Sequence, residues 1–170
     1  MNNLPNRKPN RLPDFDYASP GAYFITFCTR NRECILSRIA LVGADIIRPP
    51  AAGFEPAQVL VLLTDYGKSV EHAILDIPQH YRSAAVDAYA IMPNHVHLLL
   101  RLDAESGRMV SAPTVVGSLK RYISKSLGES IWQKGFYDHV IRNEEDYLIH
   151  LQYINENPFK WILGKDEYYV

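Results

Sequence analysis

His95 and His97 are separated by one apolar residue in the run Met92-Pro93-Asn94-His95-Val96-His97-Leu98-Leu99-Leu100, and the pair can hold a divalent metal. Side chains alternate between the faces of a β-strand, so both imidazoles point one way and Val96 points the other. They form half of a metal site at a spacing the backbone sets. A second polar set lies further on. Read as a helix, residues 143–157 carry Asp146, His150, Tyr153 and Asn157 at steps of four, three and four, which keeps them on one face. Asn157 offers an oxygen ligand one turn after a tyrosine. Two imidazoles and one amide oxygen leave positions open for water and phosphate oxygens, as in a catalytic site rather than a closed structural one. Oxygen donors favour Mg²⁺ or Mn²⁺. His150, one turn before Tyr153, can support the site from behind its ligands.

Tyr153 is the candidate nucleophile. A phenol titrates near ~10 and attacks poorly unaided. Beside a divalent ion that polarises a phosphodiester, attack by the phenolate becomes feasible. The product is a covalent phosphotyrosine, which conserves the bond energy for later rejoining. A competing reading is a metal-dependent phosphodiesterase with a water nucleophile. No carboxylate is evident beside the histidine pair in the sequence, which counts against the phosphodiesterase.

The elements that must position these groups follow from pattern. Pro5, Pro9, Pro13 and Pro20 make residues 1–20 an extended basic arm. Residues 22–29 are aromatic and β-branched and read as a strand. Residues 43–57 are a proline-rich loop excursion, with a short strand expected over 59–64. From Asp65, Val70, Ala73, Ile74 and Ile77 recur at helical spacing, and Pro78 is expected to end the run. Strands over 85–92 and 95–102 flank the Pro93-Asn94 turn as an antiparallel hairpin. Thr114 is the expected cap of a helix burying Val115, Val116, Leu119, Ile123 and Leu127, with Gly128 just past its end. Residues 136–141 form a last strand. Asn143 caps the final helix, which Leu148, Leu151 and Ile154 hold against the sheet and which Pro158 is expected to stop at Asn157. The order is the split βαββαβ pattern of an α+β, ferredoxin-like antiparallel sheet with helices on one face. Its free face is left for the final helix, so residues 21–170 read as a single domain.

The 170 residues include 47% apolar ones, enough to bury a core, and the net charge is −1. That total does not announce a nucleic-acid binder, but a basic subset can still hold phosphates through local potential. Arg7, Lys8, Arg11, Arg30, Arg32 and Arg38 gather toward the N-terminal end. Cys28 and Cys34 lack the spacing of a zinc or redox motif and read as reduced thiols. With no apolar leader and no stretch of ~20 apolar residues, the chain reads as cytoplasmic, with no membrane partner.

Several blocks in order carry a family resemblance. They are residues 11–17 with 21–26, Met92 through His97, Ile131-Trp132-Gln133-Lys134, Phe136 through Arg142, and Tyr153-Ile154-Asn155-Glu156-Asn157-Pro158. Together they resemble the IS200-like single-domain tyrosine transposases, in the branch associated with repetitive extragenic palindromes. The resemblance implies that His95, His97 and Asn157 bind the metal and that Tyr153 is the single nucleophile. It implies cleavage and rejoining of single-stranded, hairpin-bearing DNA through a 5′-phosphotyrosine, with release of a 3′-hydroxyl. It also implies either a homodimer, with the tyrosine helix of one subunit against the histidines of the other, or a monomer; the alternative within the resemblance is a domesticated relative that binds or processes hairpin DNA without moving it.

DNA-facing candidates are Arg11, Lys120, Arg121, Lys125, Lys134 and Arg142 for phosphates, and Trp132 and Tyr137 for stacking on unpaired bases.

Overall fold

The computed structural model describes residues 15–42, 58–104 and 110–166. The basic arm up to Asp14, with Arg7, Lys8 and Arg11, and the 43–57 excursion lie outside the described residues.

Strand β1 (Gly21–Cys28) is followed by a hairpin of β2 (Ser37–Val42) and β3 (Gln58–Leu63). Helix α1 (Asp65–Leu75) and the short α2 (Ile77–His80) come next, then β4 (Ala84–Ile91) and β5 (His95–Leu102). Helix α3 (Ala112–Leu127), β6 (Tyr137–Val140) and α4 (Glu144–Ile162) complete the order. The main sheet runs β4-β5-β1-β6, all antiparallel, and this is the ferredoxin-like order expected from βαββαβ.

Alternation along each strand divides the core in two. Tyr23, Ile25 and Phe27 of β1 join Val96, Leu98 and Leu100 of β5 under α1 and α3, against Val70, Ile74, Val115, Leu119 and Ile123. Phe24 and Leu99 face the other way, where Ile154 of α4 covers them. That second face holds the histidines.

Four local expectations change. Pro78 does not terminate the helical region. The chain breaks at Asp76 and resumes with Pro78 in the first turn of α2, where its missing N–H costs nothing. The cap of α3 is Ser111, whose side chain accepts from the Thr114 backbone N–H; Pro113 occupies the first turn, and Thr114 sits inside the helix. Gly128 ends α3 with φ of 74°, as a left-handed cap should. Leu148 does not pack on the sheet. It is 54% exposed, because six residues from Ile154 leave a helix roughly 120° short of two whole turns.

The fourth change bears on the site. Helix α4 continues through Pro158 to Ile162. Proline removes the hydrogen bond that the Ile154 carbonyl would receive. Trp161, one turn later, packs into the Phe24–Leu99–Ile154 cluster and offsets that loss. Asn157 therefore lies within a helix rather than at its end. The β2 strand was not expected at all, and Ser37 Oγ ties it to the main sheet by donating to the Ile91 carbonyl at 2.8 Å.

Candidate active site

His95 and His97 lie on the central strand β5, in register with Cys28 and Thr26 of β1, and both are fully buried beneath α4. Their Nε2 atoms are 3.0 Å apart. Each ring is held by its other nitrogen. His95 Nδ1 donates to Asn94 Oδ1 at 2.7 Å, and His97 Nδ1 meets Thr26 Oγ1 at 2.7 Å. Asn94 itself is fixed in the Pro93-Asn94 turn, where its carbonyl accepts from both the backbone N–H and the hydroxyl of Thr29.

These contacts fix the tautomers. Because His95 Nδ1 donates, its Nε2 is a bare acceptor and takes the Nε2–H of His97; His97 Nδ1 then accepts from the Thr26 hydroxyl. Burial lowers the His95 pKa from 6.5 to about 3, aided by the positive charge of Arg32 and opposed by Asn157. Burial, then the His95 neighbour, holds His97 well below its ordinary value. Both imidazoles are thus neutral, the state a metal requires. For His97 to present Nε2 as a ligand, its proton must move to Nδ1 and Thr26 must accept instead of donate, which a hydroxyl can do. Thr26→Val removes that flexibility while preserving shape. Isothermal titration with Mn²⁺ should show affinity lowered roughly 10–100-fold, with the fold unchanged.

Neutral buried histidines also set a pH dependence. The unfolded chain takes up a proton on His95 near 6.5, whereas the folded chain resists until about 3. The unfolded state therefore holds more protons across that window, and stability falls as pH drops through it. Urea unfolding of the metal-free protein at pH 7 and pH 4.5 should show a loss of several kcal/mol, using ~1.4 kcal/mol per unit.

Two further donors approach the pair. Asn157 is fully buried, and neither its Oδ1 nor its Nδ2 makes a hydrogen bond of good geometry, although the side chain is near enough to act on His95. The sequence did not point to Asp166. After α4 the chain reverses through Gly164, with φ of 62°, and brings the buried Asp166 carboxylate to 3.9 Å from His95 Nε2. His95, His97 and Asp166 can hold a metal ion between them. The expectation that no carboxylate stands beside the pair is corrected. The contact is closed by a reversal after the last helix and has no signature in local spacing.

The Asp146–His150–Tyr153–Asn157 stripe does face the sheet. The Tyr153 ring is 5.1 Å from the His97 ring and 5.7 Å from Phe24, both edge-on, and Lys160 Nζ lies 4.9 Å over its centroid. The His150 ring lies 4.7 Å from Phe24 at a tilt of 49° and bonds Asp146, together with His139 of β6.

The DNA-facing candidates scatter. Trp132 is buried against Phe27 and belongs to the core, so the expectation that it stacks on bases is corrected. Lys120 donates to the carbonyls of Gln133 and Gly135, tying α3 to the segment before β6. Arg121 and Lys125 are exposed on α3, which packs on the sheet face opposite the histidines. Lys134 and Arg142 are also exposed. Arg32 follows β1, with φ of 55° beside Asn31 at 53°, a left-handed pair unusual for such residues. Its charge reaches His95.

The site is thus a histidine pair on the free face of an antiparallel βαββαβ sheet, with a tyrosine-bearing helix laid across it. The chain is 28% identical over 188 residues to an uncharacterized protein of Haemophilus influenzae, a match covering 97% of this chain and 94% of that one. A REP-associated tyrosine transposase of Escherichia coli is 31% identical over 104 residues, which span 59% of this chain and 61% of that protein. A solved structure of a REP-associated tyrosine transposase bound to a REP hairpin matches with a TM-score of 0.58 and 25% identity, over 83% of this chain and 68% of that one. No family profile matches the chain. The chain is thus similar to REP-associated tyrosine transposases, and it spans about three fifths of the length of the curated relative of that name. Among the described residues, no helix is long and apolar enough to cross a membrane.

Proposed function

We propose that this chain cleaves and rejoins single-stranded DNA at hairpins, with Tyr153 as nucleophile and a 5′-phosphotyrosine as intermediate. The observation that carries the reading is the Tyr153 ring 5.1 Å from His97, on a helix packed over the buried histidine pair. His95 and His97, with Asn157 and Asp166, would hold Mg²⁺ or Mn²⁺, which would polarise the scissile phosphate and shield its charge. Phosphorus–oxygen bond formation at the Tyr153 oxygen releases the 3′-hydroxyl of the departing strand. Attack by that hydroxyl, or by another, reverses the step. The hairpin in the relative's structure supports this choice of substrate.

The surroundings of the histidines suit a single strand. Tyr137 stands across Thr26 from His97 on the same sheet face and is 49% exposed, a platform for an unpaired base. Arg32 and Lys134 lie near the same end of β1, since Gln133 N–H bonds the Cys28 carbonyl. In fluorescence anisotropy with a single-stranded oligonucleotide, Tyr137→Ala should weaken binding about 10-fold, the loss of one stacked base. Affinity should also fall steeply with salt.

The test is incubation with hairpin-bearing single-stranded DNA and Mn²⁺ or Mg²⁺, followed by denaturing electrophoresis and mass spectrometry of the protein. A DNA adduct on Tyr153 supports the proposal. Asp166 favours one alternative, hydrolysis by a metal-activated water with that carboxylate beside it; cleavage without any adduct would select it. Binding without cleavage would select a domesticated hairpin binder. Subunit arrangement belongs to the same proposal: the single chain brings Tyr153 to its own histidines, which suits a monomer as well as a homodimer.

A further inference from the structure

Beyond the histidine pair, we propose a second metal site, of the Zn²⁺ class, formed by His139, Asp146 and His150. The three side chains come from two elements, β6 and the first two turns of α4. His139 Nε2 lies 2.9 Å from Asp146 Oδ2, and His150 Nδ1 lies 3.1 Å from Asp146 Oδ1. Donors of a tetrahedral zinc site stand roughly 3.4 Å apart when bonds are ~2.1 Å, so the two carboxylate–imidazole contacts need to open by only a few tenths of an ångström, while His150 Nδ1 must exchange the hydrogen bond it donates to the Asp146 carbonyl at 2.8 Å for the metal. The imidazoles stack at 4.6 Å and 18°. Asp146 and His150, one helical turn apart, present their donors on one face.

The carboxylate is already oriented. The Arg142 backbone N–H donates to Asp146 Oδ2 at 3.1 Å, and the Asp146 N–H is capped by Asn143 Oδ1 at 2.9 Å. Two nitrogens and one carboxylate oxygen form a borderline donor set, suited to Zn²⁺, Co²⁺ or Ni²⁺ over Mg²⁺. Side-chain exposures of 31%, 21% and 19% leave a fourth position for water.

This site is separate from the buried pair. The Phe24 ring lies between them, 4.7 Å from His150 and 5.3 Å from His97. Ions sharing one phosphate stand about 4 Å apart with nothing between, so these two sites cannot act jointly on a single phosphate. The second ion instead clamps the start of α4 to the sheet edge, one turn before Tyr153. It acts as a positioning element, whatever chemistry Tyr153 performs.

The full chain, stripped with chelator, would be titrated with Zn²⁺ while imidazole resonances are followed by NMR, with metal content measured after dialysis. His139 and His150 should shift together and saturate. A His95→Gln/His97→Gln protein should retain one equivalent of Zn²⁺ and a Zn²⁺-dependent rise in thermal midpoint. An Asp146→Asn protein should lose at least ten-fold in affinity at this site while the His95 and His97 resonances still respond. If the His139 and His150 signals of the unsubstituted protein stay unmoved at saturating Zn²⁺, the site does not exist. Retention of no Zn²⁺ by a folded His95→Gln/His97→Gln protein would overturn it equally.

Discussion

Tyr153→Phe is expected to abolish the covalent protein–DNA adduct and to lower strand cleavage by about 10⁴-fold or more, the scale on which losing a nucleophile acts. The substitution is conservative for the fold. Phenylalanine keeps the edge-on contacts with His97 and Phe24, and only the oxygen is lost. Circular dichroism and Mn²⁺ affinity should therefore match the unsubstituted protein, so a missing adduct reports chemistry and not unfolding. Single-turnover cleavage of a labelled hairpin oligonucleotide is the measurement. Cleavage at the unsubstituted rate would remove Tyr153 from the reaction and point to water, with Asp166 beside His95, as the attacking system.

Replacing both His95 and His97 by glutamine is expected to eliminate divalent-metal binding at the buried face and to reduce cleavage by roughly 10³-fold, since a metal at a phosphoryl oxygen is worth several kcal/mol. Glutamine approximates the volume and stays uncharged, so the pocket under α4 remains filled. A second effect separates this variant from a merely damaged one. The buried imidazoles make the metal-free protein acid-sensitive, because His95 titrates near 3 when folded and near 6.5 when unfolded. Without them, urea midpoints at pH 7 and pH 4.5 should draw together. Adduct formation that still depended on Mn²⁺ in this variant would place the metal elsewhere.

Much of the frame was legible because it is written in local chemistry. The strand period of two put His95 and His97 on one face before any partner was known, and that face is where α4 lies. The Pro93-Asn94 turn set the hairpin, and Asn143 and Gly128 marked helix ends through side-chain capping and a left-handed backbone. The steps from Asp146 to Asn157 placed a polar stripe toward the sheet. Errors arose where local rules compete. Pro158 breaks a helix in isolation, yet Trp161 gains its packing only if the helix continues. Leu148 looked like a packing residue until the helix was rotated by Tyr147, Leu151 and Ile154 into the sheet.

The sequence by itself determined which groups could do chemistry and which strand and helix would carry them, since residue type and periodicity are local properties. Only the tertiary structure decided which groups meet. Asp166 reaches His95 through a reversal after the last helix, and Arg32 reaches it from beyond β1. Trp132 went into the core, and His139 and His150 converged on one carboxylate. Such contacts join residues far apart in the chain. They depend on how whole faces exclude water from one another, and no spacing along the chain encodes that.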